Sequence, residues 1–327
     1  MSRRLTMRDI AQEVGVSIAA VSHAFNNPDE ISTELRDRIL RVANAHDYRP
    51  DPRARALRGG KSTLIALVIS SLSSHYFGPL ANAIQKTISR QGYHLVVLSS
   101  YGTKEGERES LEAIRHEHMA GAIVDLYRLR PNDALRLAES PIVMLADQQE
   151  SFDGPSVRVD NHRGAYDATV FLAERGCRRI AHITGPVGAP NASRRRAGYR
   201  SALAELGLGS PIEVAGDFLS DSGARAMTEL LQQTEPPDGV FVANDDMAFG
   251  ALAVLRHYKV AVPDRIAVVG FDNVEEGSRS VPSLTTVDQP TAQIGMTAAN
   301  MLLTAIRDSA FQATTDVKCS IIKRDSA

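Results

Sequence analysis

The chain of 327 residues is long enough for more than one domain, and its formal net charge of −2 gives no sign of a polyanionic partner. Its two cysteines, Cys177 and Cys319, exclude a disulfide framework and a cysteine-based metal site. No apolar run reaches the length of a membrane span, and the start of the chain lacks the apolar core of a signal peptide. We therefore expect a soluble, cytoplasmic protein with no membrane partner.

Positive charge is concentrated at the start of the chain. Residues 1–61 contain eleven Lys and Arg against eight Asp and Glu, a net charge of +3, so the remainder carries −5. This asymmetry is compatible with a basic head on a neutral-to-acidic body, although chance clustering would produce the same counts.

Residues 5–49 have the periodicity of helices only. Thr6 and Asp9 form an approximate capping box, which predicts the start of a first helix. Ser17 can cap a second helix. A third helix is predicted to begin at Ser32 or Thr33, where an apolar stripe follows; the stripe consists of Leu35, Ile39 and Val42.

The first two helices have the spacing of a helix-turn-helix. Ala11 is small enough for two helices to cross, Gly15 supplies the turn, and Val21 can wedge between the helices. The second helix would then place its first residues in a DNA major groove and its first backbone and hydroxyl groups near phosphates. A generic small helical bundle is the alternative interpretation.

An arginine-rich segment, residues 50–61, follows this head. Asp51 and Pro52 favour the start of a short helix, and Gly59–Gly60 would end it. The segment is therefore predicted to be a hinge helix or linker.

Four side chains of this segment have the chemistry expected for DNA binding. Arg53, Arg55 and Arg58 would provide affinity for phosphates, and Leu57 would be a wedge into a minor-groove base step. The alternative is a solvated linker, and Leu57 favours the DNA-binding interpretation.

From residue 62 onward, apolar runs alternate with amphipathic stretches. The runs predicted to be strands are LIALVIS, HLVVLSS, GAIVDL, PIVMLAD, RIAHITG, GVFVAND and RIAVVGFD. Strands this apolar, separated by helices, indicate parallel sheets that are covered on both faces. Seven or eight such units exceed one ordinary open sheet, so we predict an α/β fold with two doubly wound lobes.

Several of the predicted strands end in polar residues. They are Ser70, Ser71, Asp125, Asp147, Asn244, Asp245 and Asp272. Ligands of doubly wound sheets lie beyond the carboxyl ends of the strands, and Asp and Asn side chains suit the hydroxyl groups of a sugar. We expect Asp245 and Asp246 only to cap the helix that follows them, and Arg195 to face the cleft, although Arg194–Arg196 could be a solvated helix start.

Long stretches of the chain carry a family resemblance. LTMRDIAQEVGVSIAAVSHAFNN and the segment up to Gly60 resemble the DNA-binding head and hinge of the LacI/GalR family of bacterial transcriptional regulators. The motifs VDNHRGAYDATVFLAERGCRRIAHITGP, VANDDMAFGAL, AVVGFDN and PSLTTVDQP resemble the effector-binding core of that family, which is similar to periplasmic sugar-binding proteins.

The resemblance implies a helix-turn-helix domain, a hinge helix and a two-lobed periplasmic-binding-protein-like core, over residues 1–49, 50–61 and 62–327 respectively. The N-lobe is expected at about 62–160 plus 290–316, and the C-lobe at about 161–289 plus 317–327.

The resemblance also implies roles for individual residues. Ile18, Ala19 and His23 occupy base-reading positions, while Arg53, Arg55 and Leu57 belong to the hinge. Positions that approach phosphates hold Thr6, Ser17, Ser22, Asn26 and Ser32. Positions that contact the effector hold Tyr76, Phe77, Asp147, Arg195, Phe218, Asn244, Asp272 and Gln289.

The resemblance implies an effector-responsive regulator, a repressor of a carbohydrate-related operon. Its partners would be pseudo-palindromic double-stranded operator DNA and a sugar or sugar derivative, and no cofactor or metal is expected. The chain lacks a tetramerising tail, which predicts a homodimer.

Two other functions are weighed against this one. An α/β enzyme acting on a sugar or sugar phosphate, with a regulatory helical head, is the first alternative. However, the sequence has no phosphate-binding loop and no nucleophile elbow. A pure solute-binding protein is the second, and the missing export signal and the basic head disfavour it.

Overall fold

The computed structural model describes residues 5–26, 30–46, 48, 62–145 and 152–327. The chain divides into two compact units, Met1–Ser62 and Thr63–Ala327. Within the described residues, no helix is both long and apolar enough to cross a membrane.

The described part of the first unit is helical: α1 (Met7–Val14), α2 (Ile18–Asn26) and α3 (Thr33–Ala45). The predicted capping box is confirmed, since the Thr6 backbone N–H donates to Asp9 Oδ2 at 2.8 Å and the Asp9 N–H donates to Thr6 Oγ1 at 3.4 Å. The Ser17 and Ser32 hydroxyls cap α2 and α3 by accepting from the backbone N–H groups of Ala20 and Leu35.

The predicted helix-turn-helix packing is confirmed as well. Gly15 ends α1 at a φ of +74°, a left-handed conformation that favours glycine. Ala11 is 4% exposed and Val21 is completely buried, so the small residue and the wedge both lie in the helix contact. Ile10 and Ile39 complete the small core.

The second unit alternates strands and helices. In chain order they are β1 (Leu64–Ile69), α4 (Phe77–Ile88), β2 (His94–Ser99), α5 (Lys104–His116), β3 (Gly121–Asp125), α6 (Pro131–Ala138), β4 (Ile142–Leu145), β5 (Ser156–Val159), α7 (Asn161–Glu174), β6 (Ile180–Thr184), α8 (Pro190–Leu206), β7 (Ile212–Ala215), α9 (Ser220–Leu231), β8 (Gly239–Val242), α10 (Asp245–His257), β9 (Ala267–Asp272), α11 (Glu275–Arg279), β10 (Thr285–Asp288), α12 (Thr291–Arg307), β11 (Thr314–Val317) and β12 (Ser320–Ile322).

Across residues 62–145 and 152–327, these strands form two six-stranded sheets, ordered β11-β5-β4-β3-β1-β2 and β12-β10-β9-β8-β6-β7. The strand pairs are parallel except for β10 with β12. The predicted class, α/β with two doubly wound lobes, is confirmed.

Each sheet is covered by helices on both faces. In the first lobe, α4 and α12 cover one face, and α5 and α6 cover the other. In the second lobe, α9 and α10 cover one face, and α7 and α8 cover the other. The chain passes between the lobes after β5, β10 and β11, so residues far apart in sequence meet in the cleft between the sheets.

The apolar runs of the sequence correspond to β1, β2, β3, β4, β6, β8 and β9. Sequence reasoning did not identify β5, β7, β10, β11 and β12, which are three or four residues long. Each of these short strands contains a polar or charged residue, so none forms a continuous apolar run; β11, for example, has the sequence TTDV.

Candidate functional site

The first turn of α2 exposes the residues predicted to read DNA. Ile18 is 40% exposed although it is a large apolar residue, and Ala19 is exposed beside it. Ser22 and His23 follow on the same helix and are half-buried. An apolar, protruding start to the helix can contact a thymine methyl group but cannot hydrogen-bond a base edge.

The ring of His23 lies beside an acidic neighbour. Its Nδ1 lies 2.6 Å from Glu30 Oε2. The pair is close, but it lacks the geometry of a hydrogen bond, so it does not define which ring nitrogen of His23 carries the hydrogen.

Three of the four hydroxyl groups predicted to approach phosphates lie at helix starts. Thr6, Ser17 and Ser32 are exposed and cap α1, α2 and α3. Helix N-termini attract anions because their N–H groups point outward and the helix dipole is positive there. The side chain of Asn26 lies outside the described residues, as do the hinge residues Arg53, Arg55, Arg58 and Leu57.

A cavity of about 430 Å³ lies between the two lobes of the second unit. It is lined by every predicted effector contact that the structure describes: Tyr76, Phe77, Arg195, Phe218, Asn244, Asp272 and Gln289. Asp147 lies outside the described residues.

Arg195 is the most extensively bonded side chain of the cavity. It is 3% exposed, and its Nε donates to Asn161 Oδ1 at 2.9 Å. Its Nη1 donates to the Ala243 carbonyl at 2.5 Å and lies 3.7 Å from Asp272 Oδ1. The guanidinium also stacks on the ring of Phe271, 3.7 Å from the ring centroid. These contacts fix the arginine before any ligand binds.

Asp272 ends β9 with its carboxylate in the cavity. Oδ1 accepts a hydrogen bond from Gln289 Nε2, and the backbone has a φ of +127°, which is uncommon for a non-glycine residue. Burial raises the pKa of this carboxyl well above its usual range, while the charge of Arg195 acts in the opposite direction. Asp272 is therefore a buried acid that a hydroxyl donor would help to satisfy.

Aromatic rings cover the sides of the cavity. Tyr76 and Phe77 meet edge to face, with their centroids 5.2 Å apart. Phe218 lies 6.4 Å from the ring of Tyr127, across the cleft. Burial raises the pKa of Tyr76 above its ordinary value of 10.0, so its phenol stays protonated. Such rings can pack against a sugar face or a planar base.

The expectation that Asp245 and Asp246 only cap a helix is wrong. The cap of α10 is Asn244, whose Oδ1 accepts from the Met247 N–H at 3.1 Å. Asp245 is completely buried and accepts from Thr286 Oγ1 at 2.6 Å. It also accepts from the backbone N–H of Val274 at 3.0 Å, which ties α10 to the end of β9.

Asp246 instead reaches the opposite lobe. Its Oδ1 lies 2.5 Å from His75 Nδ1, and its Oδ2 accepts from Ser74 Oγ at 3.0 Å. Ser74 and His75 belong to the loop that leads into α4. The hydrogen bond to Asp246 raises the pKa of His75, and the negative charge of Glu276 adds to the effect. A charged contact therefore links the lobes beside the cavity.

Sequence reasoning missed part of the cavity wall. Asp125 was recognised as a strand end but not as an effector contact, although it is 7% exposed and lines the cavity. Burial raises its pKa to about 7. Tyr127, Asn161 and Asn191 also line the cavity. Their only sequence signal is a position just after a strand or at the start of a helix.

The arginines that line the described part of the cavity, Arg128 and Arg195, both donate to carbonyl groups of the protein. Asp125, Asp217 and Asp272 add carboxyl groups to the same wall. Burial raises the pKa of Asp125 and Asp272, which favours their neutral form, in which a carboxyl group can donate as well as accept. A neutral ligand with several hydroxyl groups can satisfy such a wall because a hydroxyl also donates and accepts.

Comparison with known proteins gives a consistent result. The model for bacterial regulatory proteins of the lacI family matches residues 6–51, and the model for a periplasmic binding protein-like domain matches residues 169–327. The ribose operon repressor of Halalkalibacterium halodurans is 34% identical over 302 residues, which cover 92% of this chain and 90% of that protein.

Two further proteins are similar over nearly their whole length. The HTH-type transcriptional repressor CytR of Escherichia coli (strain K12) is 32% identical over 302 residues, which cover 91% of this chain and 89% of that protein. The crystal structure of the lac repressor dimer bound to operator and the anti-inducer ONPF superposes with a TM-score of 0.89 at 26% identity, covering 99% of each chain.

Proposed function

Because the chain belongs to the LacI family of bacterial regulatory proteins, we propose that it is a repressor released from or fixed on its operator by a neutral, hydroxyl-rich effector. It is a DNA-binding transcriptional regulator and not an enzyme. The function is assigned to the domains expected from the sequence: a head at residues 1–49, a hinge at 50–61 and a core at 62–327. It acts as a homodimer on a pseudo-palindromic operator in the cytoplasm.

The observation that carries the effector class is the bonding of Arg195. Its guanidinium is committed to Asn161, to a backbone carbonyl and to the neighbourhood of Asp272, so it is poorly placed to receive a phosphate. The acceptors around it suit the hydroxyl groups of a pentose, and the aromatic walls suit a ring stacked on them. A pentose or a nucleoside therefore fits this cavity better than a sugar phosphate. A relative named as a ribose operon repressor agrees with this class.

The DNA contacts proposed for the head are assigned to side chains on its exposed surface. Ile18 and Ala19 contact bases through apolar surface, and His23 contacts a base through a ring nitrogen. Phosphates are bound by the side-chain hydroxyl and amide groups of Thr6, Ser17, Ser22, Asn26 and Ser32. In the hinge, Arg53 and Arg55 bind phosphates and Leu57 enters the minor groove.

The effector class is tested by thermal unfolding of the full chain with ribose, adenosine, ribose 5-phosphate and glucose 6-phosphate. Ribose or adenosine should raise the Tm, because a ligand that binds the folded state stabilises it by mass action. Asp272→Asn should abolish the shift, and Asp264→Asn, which changes an exposed acid, should keep it. A larger shift with either phosphorylated sugar would overturn the neutral-effector assignment.

The DNA target is tested by selecting duplexes from a random pool with the full chain. A dimer of helix-turn-helix heads should enrich a sequence with two inverted half-sites. Binding to that sequence should weaken steeply as salt rises from 50 to 200 mM, as expected for phosphate contacts. An enriched site without inverted symmetry would contradict the proposed dimeric operator complex.

A further inference from the structure

A carboxylate is buried in the first lobe, behind the wall of the cavity. Glu107 lies on α5, is completely buried, and does not belong to the cavity lining. Its Oε1 accepts from the Tyr127 backbone N–H at 2.6 Å, and its Oε2 accepts from the Leu129 N–H at 2.8 Å. Both oxygens lie 3.1 Å from the N–H of Arg128. Three successive backbone donors thus surround one side chain.

This arrangement defines the loop between β3 and α6. A buried carboxylate needs other dipoles to replace its water, and the three N–H groups do so in part, since burial still raises the pKa of Glu107 above its ordinary value. In return, the carboxylate fixes the orientation of three consecutive peptide units. Because those units carry Tyr127 and Arg128, the directions of both side chains depend on Glu107.

Both side chains reach the opposite lobe. The Tyr127 hydroxyl accepts a hydrogen bond from Ser70 Oγ at 3.4 Å, and the centroid of its ring lies 6.4 Å from that of Phe218, which precedes α9 in the second lobe. The loop held by Glu107 therefore contributes an aromatic wall of the cavity and a contact that crosses the cleft.

Arg128 makes the second crossing contact. Its Nη1 donates to the Val187 carbonyl of the second lobe at 2.8 Å, and its Nε donates to the Gly102 carbonyl at 3.3 Å. The guanidinium packs closely on Gly188, where an added Cβ would lie 2.7 Å from Nη1. Arg128 is exposed, so only its fixed backbone and these carbonyl partners hold the side chain in this direction.

We propose that Glu107 is a positioning residue for effector binding, which acts by fixing the loop that places Tyr127 and Arg128 across the cavity. It touches neither the cavity nor the second lobe, so its influence passes through the backbone of residues 127–129. The proposal rests on the cavity being the effector site.

The first test needs no ligand. Glu107→Gln keeps the size of the side chain but replaces one acceptor oxygen with an NH₂ group, which would face a backbone donor. Amide hydrogen exchange in the full chain should become about tenfold faster at residues 127–129, because a donor is left unsatisfied. Glu109→Gln, an exposed position on the same helix, should leave exchange unchanged. Equal exchange in both variants would overturn the proposal.

The second test measures affinity for ribose and adenosine by calorimetry. Glu107→Gln should weaken binding about five- to tenfold, which corresponds to the loss of about one hydrogen bond. In a Tyr127→Ala/Arg128→Ala background, the same substitution should change affinity by less than about twofold, because the side chains through which it acts are gone. An undiminished effect in that background would assign Glu107 a merely structural role.

The two tests separate the possible failures. If neither ribose nor adenosine binds the unsubstituted chain, the proposed effector class fails, while hydrogen exchange still reports on the loop. If Glu107→Gln does not fold, Arg128→Ala and Gly188→Ala test the same contact from the protein surface. Binding that is unchanged in both of these variants would overturn the proposed role of the loop.

Discussion

The DNA-reading helix and the effector cavity hold their functional side chains in opposite ways. At the start of α2, Ile18 projects from the surface and Ala19 is exposed beside it. In the cavity, Arg195 is 3% exposed and bonded to several groups, and Asp272 is buried beside it. An exposed side chain can be replaced at little cost in stability, whereas replacing Arg195 leaves its buried partners without a donor. DNA choice is therefore expected to be separable from stability in this protein, while effector binding through Arg195 is expected to be coupled to it.

The largest expected effect is that of Arg195→Met. The substitution leaves Asn161 and the Ala243 carbonyl without their donor and removes the positive charge beside Asp272. The free energy of unfolding should fall by about 2–4 kcal/mol, and the effector response should be lost. Urea denaturation and calorimetry of the full chain measure the two effects.

Arg196→Met is the matched control, because Arg196 forms a surface ion pair with Glu213. It should change the free energy of unfolding by less than about 1 kcal/mol and preserve the response. Equal free energies of unfolding for Arg195→Met and Arg196→Met would contradict the proposed coupling between effector binding and stability.

Ile18→Ala tests the opposite side of the comparison. Loss of an apolar base contact should weaken binding to the selected operator about tenfold, within the range of 1–3 kcal/mol known for a single base contact. The free energy of unfolding should change by less than about 0.5 kcal/mol, because the side chain is exposed. Titration by fluorescence anisotropy and urea denaturation provide both values. A large loss of stability would show that the reading helix is not separable from its core.

Asp125→Asn should reveal a stability penalty built into the cavity. The folded-state pKa of Asp125, about 7, lies above the ordinary value of 3.8, so the folded protein holds this proton more tightly. Its contribution to the free energy of unfolding therefore decreases as pH rises from about 4 to 7. Asn removes this dependence, so the gain in the free energy of unfolding caused by the substitution should be about 1 kcal/mol larger at pH 8 than at pH 6. If Asp125→Asn shifts the urea midpoint by the same amount at both pH values, Asp125 does not contribute this pH dependence.

The smallest expected effect concerns the contact between His75 and Asp246. The raised pKa of His75 means that the charged contact is present at low pH and is lost as pH rises through that pKa. Between pH 6 and pH 9, the affinity of the unsubstituted chain for the effector should fall about threefold more than the affinity of His75→Gln. The difference is small because a partly exposed ion pair contributes little. His94→Gln, at an exposed position of the same lobe, should retain the pH profile of the unsubstituted chain.

Local signals predicted the head and the principal strands well. The capping box of Thr6 and Asp9, the turn at Gly15 and the buried Val21 depend on neighbours within a few residues, and such contacts leave patterns in sequence. Motif resemblance then led to Arg195 and Asp272, which line the cavity.

Contacts between distant residues could not be predicted in this way. Asp246 lies 171 residues from His75, and Glu107 lies about 20 residues from the loop that it holds. A carboxylate at a helix start suits a cap as well as a tertiary contact, so its local sequence does not distinguish the two roles. The short strand β11 forms only because β5 offers a sheet edge beside it.

The contacts that join the lobes lie on two faces of the cleft. One joins the loop before α4 to α10, and the other joins the loop before α6 to the segment before α8. Because these contacts restrain the two walls of the cavity, the residence time of a bound molecule depends on the motion of the lobes as well as on its own hydrogen bonds. Such a regulator responds to a fall in effector concentration with a delay, and it averages over brief fluctuations in supply.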